Sequence, residues 1–245
     1  MLKGFFNLPL RALEGFINSV FQLMDVELKS PNYSCISKRA KTVDIKYRRR
    51  STGAVRHLVV DATGLKVFGE GEWKVRTHGA DKRRLWRKLH IAVDADTHQV
   101  IAAEVSLDNV TDPKVLPVLL NPLRRKIRQV SADGAYDTRN CYQTIARKKA
   151  KATIPPRKNA GIWEGAHPRN EAVRALKAGQ LKEWKVEEGY HERSLSETAM
   201  YRYKQLFSGK LSLRIYNAQY GEIMANIKSM NKISALGMPI RQRTE

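Results

Sequence analysis

The sequence predicts an α/β fold: a mixed sheet of five strands flanked by helices, with a small helical segment ahead of it. Three observations predict it. Val-rich stretches, "VRHLVVDATGLKVF", "LHIAVDAD" and "QVIAAEVS", read as three consecutive strands, the last two joined by the short turn "DADTH". Beyond them the pattern switches to helix, strand, helix, strand. At 42% hydrophobic over 245 residues, the chain can bury a sizeable core.

Residues 9–25 read as an amphipathic helix, because Leu10, Leu13, Ile17, Val20, Phe21 and Met24 recur near helical spacing. In "SPNYSCISKRAK", Ser30 is the expected N-cap and Pro31 the first helical residue of a short helix ending in Lys38, Arg39 and Lys41. The two helices are either part of a helix-turn-helix or a plain pair packed on the main domain. "KYRRRSTG" is a basic, turn-rich linker. The first main strand carries Asp61 near its centre, and the basic loop "KVRTHGADKRRLWRK" (74–88) follows it. After the meander, "DPKVLPVLLNPL" reads as a helix capped at Asp112, which Pro117 shortens or kinks. "IRQVSADGAYD" is a strand ending at Asp133, "TRNCYQTIARKKA" a helix, and "KATIPP" a short strand that two prolines stop. Residues 157–188 turn polar and basic, with one helix expected around 169–182. The helix in "GYHERSLSETAMYRYKQLF" ends at Gly209, and a last amphipathic helix runs from about 213 to 234.

Forty-five Lys and Arg against 24 Asp and Glu leave a charge of +21, which favours an extended polyanion, nucleic acid above all, as partner. Cys35 and Cys141 stand alone without metal-ligand spacing, as expected of a reduced, cytoplasmic protein. No apolar run is long enough for a membrane span. Arg11 and Glu14 interrupt the apolar N-terminus, so it does not read as a signal peptide.

Three acids stand out by position. Asp61 lies on the first strand, Asp133 at the C-terminal end of the fourth, where open α/β sheets place ligands, and Glu197 on a late helix. Their hard oxygens suit Mg²⁺ or Mn²⁺, and crowded carboxylates need a cation between them. Two such ions could stabilise the attacking and leaving oxygens of a phosphoryl displacement. On a helix, Tyr190, Arg193, Glu197 and Lys204 would share one stripe about 60° wide. Arg193 and Lys204 are expected to hold DNA phosphates there, and Tyr190 to stack or hydrogen-bond. The bland readings are a turn for each Asp, a capping box "SLSE" for Glu197, helical ion pairs for the cations and packing for Tyr190.

The spacing Y-(2)-R-(3)-E-(6)-K, met here at Tyr190, Arg193, Glu197 and Lys204, resembles the C-terminal signature of bacterial insertion-sequence DDE transposases. "VVDATGLKVFGEGEW" and "VSADGAYDT" resemble the blocks around that family's first and second Asp. The resemblance implies a ribonuclease-H-like fold, two Mg²⁺ (or Mn²⁺) ions held by Asp61, Asp133 and Glu197, and DNA strand cleavage followed by strand transfer. It also implies a homo-oligomer on DNA, and no organic cofactor is expected. The segments read as a helical N-terminal part (1–45), a linker (46–55), a catalytic domain (56–235) with a variable insertion (157–188), and a tail (236–245). Family members carry more chain before the first catalytic strand than the roughly 55 residues here. The start therefore reads as an internal Met of a longer frame, or the chain as a truncated copy.

Within the basic loop, Lys74, Arg76, Arg83 and Arg84 are expected to reach the DNA backbone, against the alternative of a solvated loop. The run "RKKAKATIPPRKN" (147–159) has the same two readings. Trp163 either stacks on an unpaired base or packs. The other acids, Asp94, Asp96, Asp108, Asp112 and Asp137, read as turn and capping residues. Alternatives to the transposase are another ribonuclease-H-like nuclease, or a non-catalytic DNA-binding remnant.

Overall fold

The computed structural model describes residues 1–48, 53–67 and 85–237. The strands are β1 (Val55–Val67), β2 (Trp86–Asp94), β3 (Val100–Leu107), β4 (Ile127–Ser131), β5 (Lys151–Thr153) and β6 (Lys210–Leu211). Hydrogen bonding orders them β3-β2-β1-β4-β5, with β6 also on β1. β2 and β3 form the antiparallel hairpin, while β4 runs parallel to β1 and β5 parallel to β4. Ala95 N–H bonds to the His57 carbonyl and Val67 N–H to that of Leu85, at 3.0 and 2.9 Å. Numbering rises along β1 as it falls along β2, so these two are antiparallel as well. This is the mixed α/β sheet expected, with one correction: among the described residues it has six strands. Lys210 and Leu211, read as the junction between two helices, pair with Lys66 and Val67. A two-residue strand carries no periodicity for a sequence reading to detect.

The central residues of β1, Leu58, Val59 and Val60, are fully buried in succession. Continuous burial is the mark of a strand covered on both faces, which explains its Val-rich run.

The helices are α1 (Leu2–Phe6), α2 (Leu10–Leu23), α3 (Tyr33–Arg39), α4 (Asp112–Leu120), α5 (Arg139–Arg147), α6 (Arg169–Lys177), α7 (Leu181–Glu187), α8 (Ser194–Phe207) and α9 (Tyr216–Leu236). Three differ from expectation for local reasons. α3 starts later than Pro31 because Asn32 caps it, its Oδ1 accepting Ser34 N–H at 2.9 Å. The single helix expected at 169–182 is two, α6 and α7, separated where Gly179 adopts φ 73°. Tyr190–Arg193 is a 3-10 turn, and α8 begins only at Ser194.

The described residues pack as two compact units that interleave along the sequence: 1–47, 65–67, 85–86 and 202–237 in one, 48, 53–64 and 87–201 in the other. In the first, Asn226 donates to the Tyr203 hydroxyl at 3.2 Å, Phe5 packs edge-on against Phe207, and Lys3 pairs with Glu222 at 2.7 Å. In the second, Leu58, Val60, Leu116, Leu119, Leu120, Ile127, Val130, Ile145 and Ile154 form the core between sheet and helices. Burying each such side chain contributes about 1.5–3 kcal/mol. Among the described residues, no helix is long and apolar enough to cross a membrane.

Candidate active site

The register of two parallel strands brings the first two acids together. Val59 of β1 pairs with Ser131 of β4, and Asp61 and Asp133 each lie two residues further on. Asp61 lies midway along β1 and Asp133 just past the end of β4, with matching side-chain parity. Asp133 caps a 3-10 turn, Gly134–Tyr136, by accepting Ala135 N–H at 2.9 Å. Its turn role, one of the bland readings, is thus real and leaves the second carboxylate oxygen available.

The third acid arrives through Arg193. Its Nη1 donates to Asp61 Oδ2 at 3.0 Å, and its Nη2 donates to Glu197 Oε1 in the first turn of α8. The guanidinium thus bridges the first and third acids, and the i,i+4 ion pair weighed from the sequence is present.

Burial lifts the Asp61 carboxyl above its ordinary value, against the Ala62 N–H and Arg193; Asp133 and Glu197 push it further up by like-charge repulsion. The three carboxylates therefore share one electrostatic field. Tyr190, half-buried in the 3-10 turn, lies in it too. Burial raises its hydroxyl pKa, Arg193 opposes, and Asp133 and Asp61 add to the rise. The Arg193 guanidinium stands 5.8 Å from the Tyr190 ring centre. Burial works against the Arg193 charge, but Tyr190, Asp61 and Glu197 outweigh it and raise its pKa.

Other expected contacts fare differently. Lys204 is exposed, further along α8, and belongs to the first unit. Trp163 packs edge-on to Tyr142 and His167, at 5.4 and 4.7 Å, and the Arg169 guanidinium lies 4.2 Å from its ring centre. Lys74, Arg76, Arg83 and Arg84 lie outside the described residues. Lys88, read from the sequence as the end of that loop, lies in β2 and pairs with Asp112 at 2.6 Å.

Three groups near the site had no sequence signal. Asp137, read as a turn acid, is almost fully buried in a two-pronged ion pair with Arg169. Arg157, from the basic run, donates to the Gly134 and Ala135 carbonyls at 3.2 and 3.0 Å and so braces the turn after Asp133. Tyr136 is 1% exposed, and its hydroxyl has no hydrogen-bond partner among the described residues. Burial, with Asp112, Asp61 and Asp133 adding, raises that hydroxyl's pKa.

The sequence pattern of the family described as "Transposase DDE domain" matches residues 53–232, and a second pattern of that description matches residues 1–70. The chain belongs to the DDE transposase family. Among solved structures it is similar to piggyBac transposase in a synaptic complex with hairpin DNA, at 13% identity and TM-score 0.44, covering 78% of this chain and 50% of that one. It thus spans half the length of that transposase. It is also similar to the catalytic core domain of BIV integrase, at 10% identity and TM-score 0.28, covering 60% of this chain and 82% of that one. A simian T-cell lymphotropic virus intasome, in complex with PP2A regulatory subunit B56 gamma, matches at 11% identity and TM-score 0.29, covering 80% of this chain and 61% of that one.

The donors of this DDE transposase suit the metal its family implies. Three carboxylates are hard oxygen ligands; burial is the main cause of the raised Asp61 pKa, and the like charge of Asp133 and Glu197, which a cation would relieve, adds to it. Among the described residues, no three acidic, His or Cys side chains stand close enough to enclose one ion as they are. Arg193 occupies one oxygen of Asp61 and one of Glu197, the two carboxylates that would share an ion with Asp133.

Proposed function

We propose that this chain cuts DNA at the ends of a mobile element and joins the freed ends to target DNA, acting as a homo-oligomer. The observation that supports the reading is the Arg193 bridge from Asp61 to Glu197, with Asp133 two residues past the β4 residue that pairs with β1, within a chain of this family. Asp61, Asp133 and Glu197 would hold Mg²⁺ or Mn²⁺, two ions in this reading. When bound, such ions supply Lewis-acid stabilisation of the attacking and leaving oxygens of a phosphodiester.

The chain's own residues do the rest. β1 carries Asp61 and β4 leads directly to Asp133, so two paired, buried strands hold these acids at a set separation. Arg193, once its carboxylates are engaged elsewhere, presents a planar fork suited to a phosphate. Tyr190 offers its hydroxyl beside that fork. Lys204 and the loop cations Lys74, Arg76, Arg83 and Arg84 serve as backbone contacts, part of a +21 charge whose counter-ion release would drive binding. Trp163 would reach a base only by leaving its present packing.

The test uses a duplex carrying the DNA that flanks the coding sequence in its source, incubated with the full chain and Mn²⁺. Cleaved products joined to a second DNA are expected. Asp61→Asn, Asp133→Asn and Glu197→Gln should each abolish both products and leave DNA affinity unchanged. Cleavage without joining would identify a simple nuclease. The engagement of Arg193 by both Asp61 and Glu197 favours a second reading, a DNA-binding protein without chemistry, for which binding without any cleavage is the expected result.

A further inference from the structure

A second buried cluster connects the elements that carry the acids. His57 on β1 is 1% exposed. Its Nε2 stands 2.7 Å from Ser131 Oγ on β4, and its Nδ1 3.3 Å from Glu192 Oε2 in the 3-10 turn. Arg56 donates both ends of its fork to Glu192, at 3.0 and 2.9 Å, and its Nε to Asp96 at 2.8 Å. The order serine, histidine, carboxylate has the look of a hydrolytic triad. Ser131 is completely buried, so no substrate reaches its hydroxyl and nucleophilic chemistry is ruled out.

What the cluster does follow from is its placement. His57 precedes Asp61 by four residues on one strand, Ser131 precedes Asp133 by two, and Glu192 immediately precedes Arg193 at the entrance to the helix of Glu197. The protons can be assigned. Hydrogen bonds from Arg56 hold the Glu192 carboxyl below its ordinary range, so it is an ionised acceptor. His57 must then carry its proton on Nδ1. Burial lowers the imidazole's own pKa and keeps it neutral, with Glu192 pulling the other way and Arg56 and Asp96 the remaining nearby charges. Nε2 is left as a lone pair, and the Ser131 hydroxyl donates to it. The direction runs from β4 through β1 to the turn, with every donor matched to an acceptor.

We propose that His57 is a positioning residue for the acid site: through Ser131 and Glu192 it sets the spacing between the middle of β1, which bears Asp61, the end of β4, which leads to Asp133, and the turn bearing Arg193 and leading to Glu197. This rests on the metal-site reading above. A residue that only stabilised the fold would lower the melting temperature and leave metal affinity, measured well below melting, unchanged. A positioning residue moves the affinity itself, and partners of this kind are worth about 10–100-fold.

The experiment is a Mn²⁺ titration of the full chain, followed by the electron paramagnetic resonance of the free ion, on wild type, His57→Phe, Glu192→Gln and Asp61→Asn. Wild type should bind Mn²⁺ in a manner that Asp61→Asn removes. His57→Phe and Glu192→Gln should bind at least about tenfold more weakly while holding metal-free DNA as wild type does. Wild-type Mn²⁺ affinity in a folded His57→Phe overturns the positioning role and leaves the metal site standing. Absence of any Asp61-dependent Mn²⁺ binding in wild type overturns the metal site, and this proposal with it. Should His57→Phe fail to fold, Glu192→Gln and the ¹⁵N spectrum of wild-type His57 decide. A neutral ring protonated at Nδ1 at pH 7, with weakened Mn²⁺ binding in Glu192→Gln, upholds the proposal. A ring protonated at Nε2, or unchanged binding in Glu192→Gln, overturns it.

Discussion

Replacing Asp137 by Ala strands a charge. The Arg169 side chain is 4% exposed and that of Asp137 1%. Arg169 Nη2 donates to Asp137 Oδ2 at 2.7 Å, Nε to Oδ1, and Nη1 to the Gly161 carbonyl at 2.7 Å. Without the carboxylate, the guanidinium keeps one neutral acceptor and the face of Trp163, in a place that solvent does not reach. Two charges at about 4 Å interact by about 4 kcal/mol at an effective dielectric constant of about 20. Breaking a buried pair from one side costs about 3–5 kcal/mol, whereas an exposed pair is worth about 0–1 kcal/mol. The near-complete burial selects the larger figure. Urea unfolding at pH 7, followed by far-UV circular dichroism, should therefore place Asp137→Ala about 3–5 kcal/mol below wild type. The double change Asp137→Leu with Arg169→Met removes both charges and should recover most of that loss. A cost below about 1 kcal/mol for Asp137→Ala would mean that the pair behaves as if in water, and the argument from burial would be wrong.

Three further outcomes are expected. His90 is fully buried, and burial pushes its imidazole down to about 4. The unfolded chain binds that proton from about pH 6.5 downward while the folded chain does not, so stability is lost as pH falls, by about 3 kcal/mol near pH 4. Melting curves between pH 7 and 4 should show His90→Phe losing less on acidification than wild type, and an identical slope would count against the burial account. Arg193→Gln removes the cation beside Asp61, so ¹³C-detected titration should find that carboxyl higher than in wild type; a fall would contradict the bridge seen here. In the first unit, a Cβ on Gly221 would sit 2.9 Å from the Ala40 carbonyl oxygen, whereas one on Gly15 meets nothing within 4 Å. Thermal melts should find Gly221→Ala destabilised by about 1–3 kcal/mol and Gly15→Ala stabilised by about 0.5–1 kcal/mol.

Much of the sheet was legible because its strands are buried on one or both faces and advertise this in Val-rich runs. Asp61 and Asp133 were legible for a related reason, since Asp61 comes directly after Val-rich residues of a strand and Asp133 just past the end of one. The two-residue β6 was not, because pairing with Lys66 and Val67 is a tertiary event without a local pattern. Tyr190 and Arg193 were assigned to the right neighbourhood but to the wrong local structure. A 3-10 turn keeps residues three apart on one side, as an α-helix nearly does, so Tyr190 and Arg193 remain neighbours. The partnerships of Asp137 with Arg169, His57 with Ser131, and Arg56 with Glu192 span 32, 74 and 136 residues. Each half of such a pair reads alone as an ordinary turn acid or core residue, and only the folded chain joins them.

The abrupt end of β5 has a consequence for solubility. The strand has three residues at the border of the sheet, and Pro155 and Pro156, both buried, follow it after Ile154. Neither ring nitrogen can donate, so a foreign strand laid alongside would run out of ladder almost at once. A chain carrying +21 charges gathers on any polyanion at high local concentration, where stray sheet borders find one another. Two prolines in a row let the molecules crowd together there without their sheets fusing into fibres.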